Sequence, residues 1–156
     1  MKQPHLKVVD QTPVATMYTI IFDGENLSEF EKFIQKFKDN AQYQRDYQII
    51  IYAIKKMSEN GILERYFRYE GKRGSGVCAI PVTTSKLRLY CLRLSDRIVI
   101  LGNGGIKTTR TYQDDDLLNG YVIDLQEFEK IIKIGIKRGA ITVSETTISG
   151  IEIEED

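Results

Sequence analysis

The chain has no tryptophan, a single histidine, two cysteines and three prolines among its 156 residues. His5, near a terminus expected to fray, offers no second imidazole, which argues against a catalytic triad and against a nuclease that moves protons through histidines. Cys78 and Cys91 have only His5 to join them, so neither a zinc site nor a redox pair has the ligands or the spacing it needs. Both lie in β-leaning runs, VCAIPV and LRLYCLRL, and are expected as buried free thiols. No run of about 18 apolar residues is present, so no membrane-spanning helix is expected. The start MKQPHLKVVD lacks the apolar centre of a secretory signal, and a cytoplasmic protein is expected. The acidic side chains collect at helix ends and in the tail, where dipole complementarity and solubility account for them. A two-carboxylate metal nuclease is therefore disfavoured, and no metal or cofactor is expected.

Charge is present in balance, 22 basic against 22 acidic residues, but it is unevenly spread. Met1 to Asn60 holds 8 of each sign, Gly61 to Gln113 holds 10 basic against 3 acidic, and Asp114 to Asp156 holds 4 against 11. Exposed charges are screened beyond about 8 to 10 Å in physiological salt, so the cationic centre can attract an anion whatever the ends carry.

Hydrophobic spacing predicts one α+β domain over 1–156 with an extended acidic C-terminal segment from about 114. Val14–Phe22 reads as a strand closed at Asp23-Gly24. Asn26 with Glu29 resembles a capping box, and Leu27, Phe30, Phe33, Ile34 and Phe37 follow at helical spacing. Tyr43, Tyr47, Ile50, Ile51, Ile54 and Met57 mark a second helix that stops at Asn60-Gly61. Arg65–Glu70, Val77–Val82, Leu87–Leu94 and Ile98–Leu101 read as antiparallel strands, with GNGG as a flexible turn. A last helix is expected from near Asp124 to Gly139. The sum is a mainly antiparallel sheet of about four to five strands with the helix pair and the C-terminal helix on one side.

Within Leu87–Leu94, alternation sends Arg88 and Arg93 to opposite faces. Lys107, Arg110 and Tyr112 follow the next strand and could fold back toward one end of the sheet. The loop Glu70–Gly76 offers Lys72 and Arg73 to a phosphate backbone. Gly102, Gly104 and Gly105 do not make a Walker A loop, because Ile106 precedes Lys107 and no helix follows directly.

The order of elements, with FRYEGKRGSGVCAI leading into KLRLYCLRLSDRIVILGNGGIKTTRTYQ, resembles the RelE/ParE superfamily of bacterial toxins from toxin–antitoxin operons, particularly the longer RelE- or HigB-like variants. The resemblance implies a type II toxin with a concave basic sheet face, neutralised by a cognate antitoxin of helix-turn-helix type. It implies either metal-independent cleavage of messenger RNA, with the ribosome as a potential partner, or, in the ParE branch, non-enzymatic inhibition of a protein target such as DNA gyrase. In the cleaving branch Arg88, Lys107, Arg110 and Tyr112 would be catalytic. Arg68, Lys72, Arg73 and Arg93 would contact RNA.

Overall fold

A computed structural model describes residues 3–69, 74–83 and 85–154. The chain runs β1 (Pro4–Gln11), β2 (Thr16–Phe22), α1 (Glu29–Phe37), α2 (Gln44–Asn60), β3 (Arg68–Tyr69), β4 (Val77–Pro81), β5 (Leu87–Arg93), β6 (Ile98–Ile106), α3 (Asp116–Lys137), β7 (Thr142–Val143), β8 (Ile148–Ser149) and β9 (Ile153–Glu154). Seven strands form one mixed sheet in the order β3-β4-β5-β6-β2-β1-β9, and β7 pairs with β8 apart from it. β3 to β6 make an antiparallel meander. β6 then runs parallel to β2, from Thr16 opposite Ile98 to Thr19 opposite Leu101.

The α+β class expected from the sequence holds, but the sheet has more strands than the expected four to five, and the helices do not share a side. Phe30, Phe33, Phe37, Tyr47, Ile50, Ile54 and Met57 of α1 and α2 pack with Leu87, Leu89, Cys91, Val99 and Leu101. Leu118, Val122, Leu125, Phe128 and Ile132 of α3 pack with Tyr90, Leu92, Ile98 and Ile100. Both faces of the central strands are apolar, and a strand buried on both faces needs cover on both. Phe33, Ile50 and Met57 on one side and Val122 on the other are fully buried. Each contributes roughly 1.5 to 3 kcal/mol relative to exposure.

Several boundaries differ for local reasons. β1 was not expected, because PHLKVVDQ has a proline and its pairing with β2 shifts register between Val8 and Asp10, which blurs the alternation. α1 is capped by Ser28 and Glu31 in a reciprocal box rather than by Asn26 and Glu29. α3 starts at Asp116, eight residues before the expected Asp124, because Asp115 captures the amides of Leu117 and Leu118, and the helix runs through Gly120. Of the expected strand Arg65–Glu70, Glu64–Tyr66 is a 3-10 turn, only Arg68–Tyr69 is extended, and Glu70 lies outside the described residues. GNGG belongs to β6 and is not a turn. Cys78 and Cys91 face each other in register as fully buried thiols with no disulfide between them, and burial pushes the Cys91 thiol up.

Candidate anion-binding site at one end of the sheet

Along β5, Arg88 shares a side with Tyr90 and Leu92, toward α3, while Leu87, Leu89 and Cys91 face α1 and α2. Arg88 stands opposite Gly105 of β6. Between the pairs Cys91–Leu101 and Leu89–Gly104, β6 carries one residue more than β5. This bulge reverses the facing of everything after it. Leu101 and Ile106 both pack toward α1 and α2, although strict alternation would separate them. A Cβ at Gly105 would lie 3.1 Å from Leu118 Cδ2, on the α3 side. Gly104 has no room for any side chain, since its Cβ would meet the Arg88 carbonyl at 2.0 Å. Lys107 follows on the α3 side, and its amide donates to the Lys86 carbonyl (2.8 Å). Continuing the strand alternation one residue past the ends of β5 and β6 puts Lys86 and Lys107 at one end of the pair, on the side of Arg88.

α3 crosses this face diagonally, from Leu118 above Gly105, past Leu125 at Gly102, to Glu129, whose carboxylate accepts from the Gly76 amide (2.7 Å) at the far end of β4. The corner formed by β3, β4 and the start of β5 lies outside that path. Exposed Arg68 sits there opposite Ala79, which faces the α3-side core. Strand spacing puts its Cα roughly 12 Å from that of Arg88.

Lys86, Arg88, Lys107 and Arg110 form no ion pair among the described residues. Arg88 is half-buried, and its Nη1 donates to the carbonyls of Ser85 (2.7 Å) and Leu87 (2.9 Å). Its Nε is buried and has no hydrogen-bond partner among the described residues. The Ser85 hydroxyl in turn donates to Asp46 of α2 (2.7 Å) and accepts from the Leu87 amide (3.1 Å), so the start of β5 is tied to α2.

The other sequence-derived residues lie elsewhere or play other parts. Arg110 is exposed three residues beyond Lys107. Tyr112 is buried in a short 3-10 turn with its ring edge-on to Tyr90 at 6.2 Å, so it cannot stack on an incoming base. Arg93 faces α1 and α2 at the opposite end of β5, where its Nε donates to the Ile62 carbonyl (2.8 Å) and its Nη1 lies 3.7 Å from Glu64. Lys72 and Arg73 lie outside the described residues.

Sequence reasoning passed over two groups beside this end. β2 leads to α1 on one face of the sheet and the parallel β6 leads to α3 on the other, so their C-terminal ends form a switch point where open sheets commonly bind ligands. The two strands pair only as far as Thr19 and Leu101. Thr19 Oγ1 donates to the Leu101 carbonyl (2.6 Å) and accepts from the Phe30 amide (3.1 Å), which pins α1 to the split. Lys36 Nζ donates to the Gly104 carbonyl (2.7 Å) and to Tyr121 Oη of α3 (3.1 Å), and lies 4.8 Å from the Tyr121 ring centre. Burial of the amine pushes Lys36 down to about 8, a shift that Glu29 opposes and Lys32 reinforces. Burial, with the charge of Glu29, raises the Tyr121 phenol. Glu29, Lys32 and Lys36 follow one another at intervals of three and four on α1, and that spacing was the legible sign of a polar edge.

Chemically, the corner can hold phosphate oxygens and the Lys36 amine can exchange a proton near neutral pH. Compared with protein-family models, with curated proteins and with solved structures, the chain matches none.

Proposed function

We propose that the protein is the toxin of a type II toxin–antitoxin pair and cleaves messenger RNA at the cationic end of the β5–β6 pair. The observation that carries this reading is that Lys86, Arg88 and Lys107 gather at one end of the β5–β6 pair and have no carboxylate partner among the described residues. Attack by a ribose 2′-hydroxyl builds charge on the phosphoryl oxygens, and a guanidinium held by its own backbone contacts is prepared to meet it. One such preorganised donor is worth about 2.7 to 4 kcal/mol. The attack forms the bond from the 2′-oxygen to phosphorus and breaks the bond to the 5′-oxygen. Lys86 and Lys107 hold the flanking phosphates, the neutral form of Lys36, whose amine is held down to about 8, takes the hydroxyl proton, and water protonates the departing 5′-oxygen. Arg68 extends the track across the corner. The cognate antitoxin, of helix-turn-helix type, covers the same corner with an acidic segment, and the ribosome presents the message.

The test is expression of the wild type and Arg88→Ala from a tight promoter, with transcripts mapped by primer extension. Cuts that fall by about 100-fold or more in the variant support the reading. Intact messages under wild-type expression overturn it.

A second reading rests on the outer face of α2, where Ile49 and Tyr52 are 41% and 59% exposed. They share a shallow hollow of about 630 Å³ with Arg45, Gln48, Ile51 and Lys55. Such a face suits a protein target, and under this reading the chain is a non-enzymatic toxin that grips DNA gyrase or a similar enzyme. Loss of supercoiling by purified gyrase, relieved by Tyr52→Asp but not by Arg88→Ala, distinguishes it.

A further inference from the structure

His5 lies in β1 with its side chain 14% exposed. Its Nδ1 is 2.9 Å from Asp23 Oδ1 and its Nε2 is 3.0 Å from Glu154 Oε2. Ionised carboxylates only accept hydrogen bonds, so both ring nitrogens must carry protons for both contacts to form. The imidazolium thus ties together β1, the turn after β2 and the C-terminal strand β9. Glu152 adds a third carboxylate to its surroundings.

β9 has little else to hold it. It is two residues long and pairs in parallel with Leu6 and Lys7 of β1. The Leu6 amide donates to the Glu152 carbonyl (3.0 Å). Ile151 and Ile153 are only partly buried on the α3-side core. A hollow of about 230 Å³ opens beside His5, with Asp23, Phe128, Ile131, Ile141 and Ile151 in its walls. α3 contributes Phe128 and Ile131 to that hollow, and both are uncharged. On β1 itself, Lys7 stands opposite Glu154 in register and binds Glu31 of α1 (3.2 Å).

We propose that His5 is a proton-operated latch on β9: the imidazolium holds β9 against β1, and its deprotonation releases that strand. Without the proton, Asp23, Glu152 and Glu154 face a neutral ring that can donate to only one of them, and their mutual repulsion favours detachment. Release uncovers the outer edge of β1.

The direction of the pH dependence follows from the surroundings. Burial alone would lower the imidazole, but the hydrogen bonds to Glu154 and Asp23, with the charge of Glu152, outweigh it and hold His5 above its ordinary value of 6.5. A group raised by folding stabilises fully below its unfolded pKa and loses that contribution as pH rises through the folded one. The latch is therefore closed below about pH 6.5, the ordinary imidazole value, and opens as the pH rises through the higher midpoint of the folded state.

The test follows backbone amide exchange by NMR between pH 5.5 and 8.5, corrected for intrinsic rates, together with the His5 ring protons. The Leu6 amide, which donates to Glu152, is expected to lose protection at least tenfold more than the β2 amides as the ring titrates. His5→Gln should make that protection low and independent of pH, and Glu154→Gln should move the ring midpoint downward. Equal protection of Leu6 at both ends of the range overturns the proposal, as does a pH response that persists in His5→Gln. Should His5→Gln fail to fold, the Glu154→Gln midpoint decides alone: an unmoved midpoint overturns the latch.

Discussion

The cations on the two flanks of the sheet have opposite surroundings. On the β1–α1 flank, Lys7 meets Glu31, Lys32 meets Glu25 and Glu29, and His5 meets Asp23 and Glu154. At the β5–β6 end, Lys86, Arg88 and Lys107 form no ion pair with a carboxylate among the described residues. Cations of the first kind fasten elements to one another, and an added anion must compete with a neighbour already in place. Cations of the second kind leave an attraction unspent, and a ligand phosphate can use it without displacing anything.

The largest expected effect lies on the fastened flank. Lys32→Met leaves Glu29, whose side chain is 7% exposed, without its nearest counter-charge. An unfolding free energy lower by about 1 to 3 kcal/mol in urea titration is expected. Lys107→Met at the other end should stay within about 0.5 kcal/mol of wild type, and equal losses would erase the distinction between the flanks. Next in size, Lys86→Glu combined with Lys107→Glu should weaken binding of a short single-stranded RNA by at least about tenfold, or 1.4 kcal/mol, read by fluorescence anisotropy with the melting temperature unchanged. Lys107→Ala alone should flatten the dependence of log affinity on log salt by about 0.7. An unchanged slope would remove Lys107 from the phosphate track.

The smallest effect concerns Glu31. Burial raises its carboxyl, but hydrogen bonds from the Ser28 amide and hydroxyl, together with Lys7, outweigh it and hold the group below the usual range. A depressed carboxyl stabilises above its unfolded pKa and loses that contribution as pH falls through the folded one. Glu31→Gln should therefore flatten the acid limb of the stability curve by less than about 1 kcal/mol. A curve that falls as steeply as the wild type's below pH 5 would assign that limb to other carboxylates.

Local order was legible in the sequence wherever one periodicity ran unbroken. The amphipathic stripe of α2, the alternation in β5 and the opposed facing of Arg88 and Arg93 all follow from spacing alone. What spacing could not carry was long-range. Nothing local says that β6 runs beside β2, and that pairing sends α1 and α3 to opposite faces. Tyr112 read as an available aromatic because its burial depends on Tyr90, 22 positions earlier in the chain. His5 read as part of a loose end, whereas Glu154 from the other terminus reaches its ring. Lys36 was hidden by its ordinary setting on a polar helix edge, since its partners Gly104 and Tyr121 come from elements far along the chain.

The extra residue in β6 has a consequence that composition cannot express. Shortening Gly102–Gly104 by one position would leave the inventory of charged groups untouched and yet turn Lys107 toward the α1–α2 layer, away from Arg88. Sidedness of the electric field at this end is thus encoded by chain length, a parity rather than an identity. An insertion or deletion of one residue there would act as a switch of polarity, where a substitution at the same place would only tune its strength.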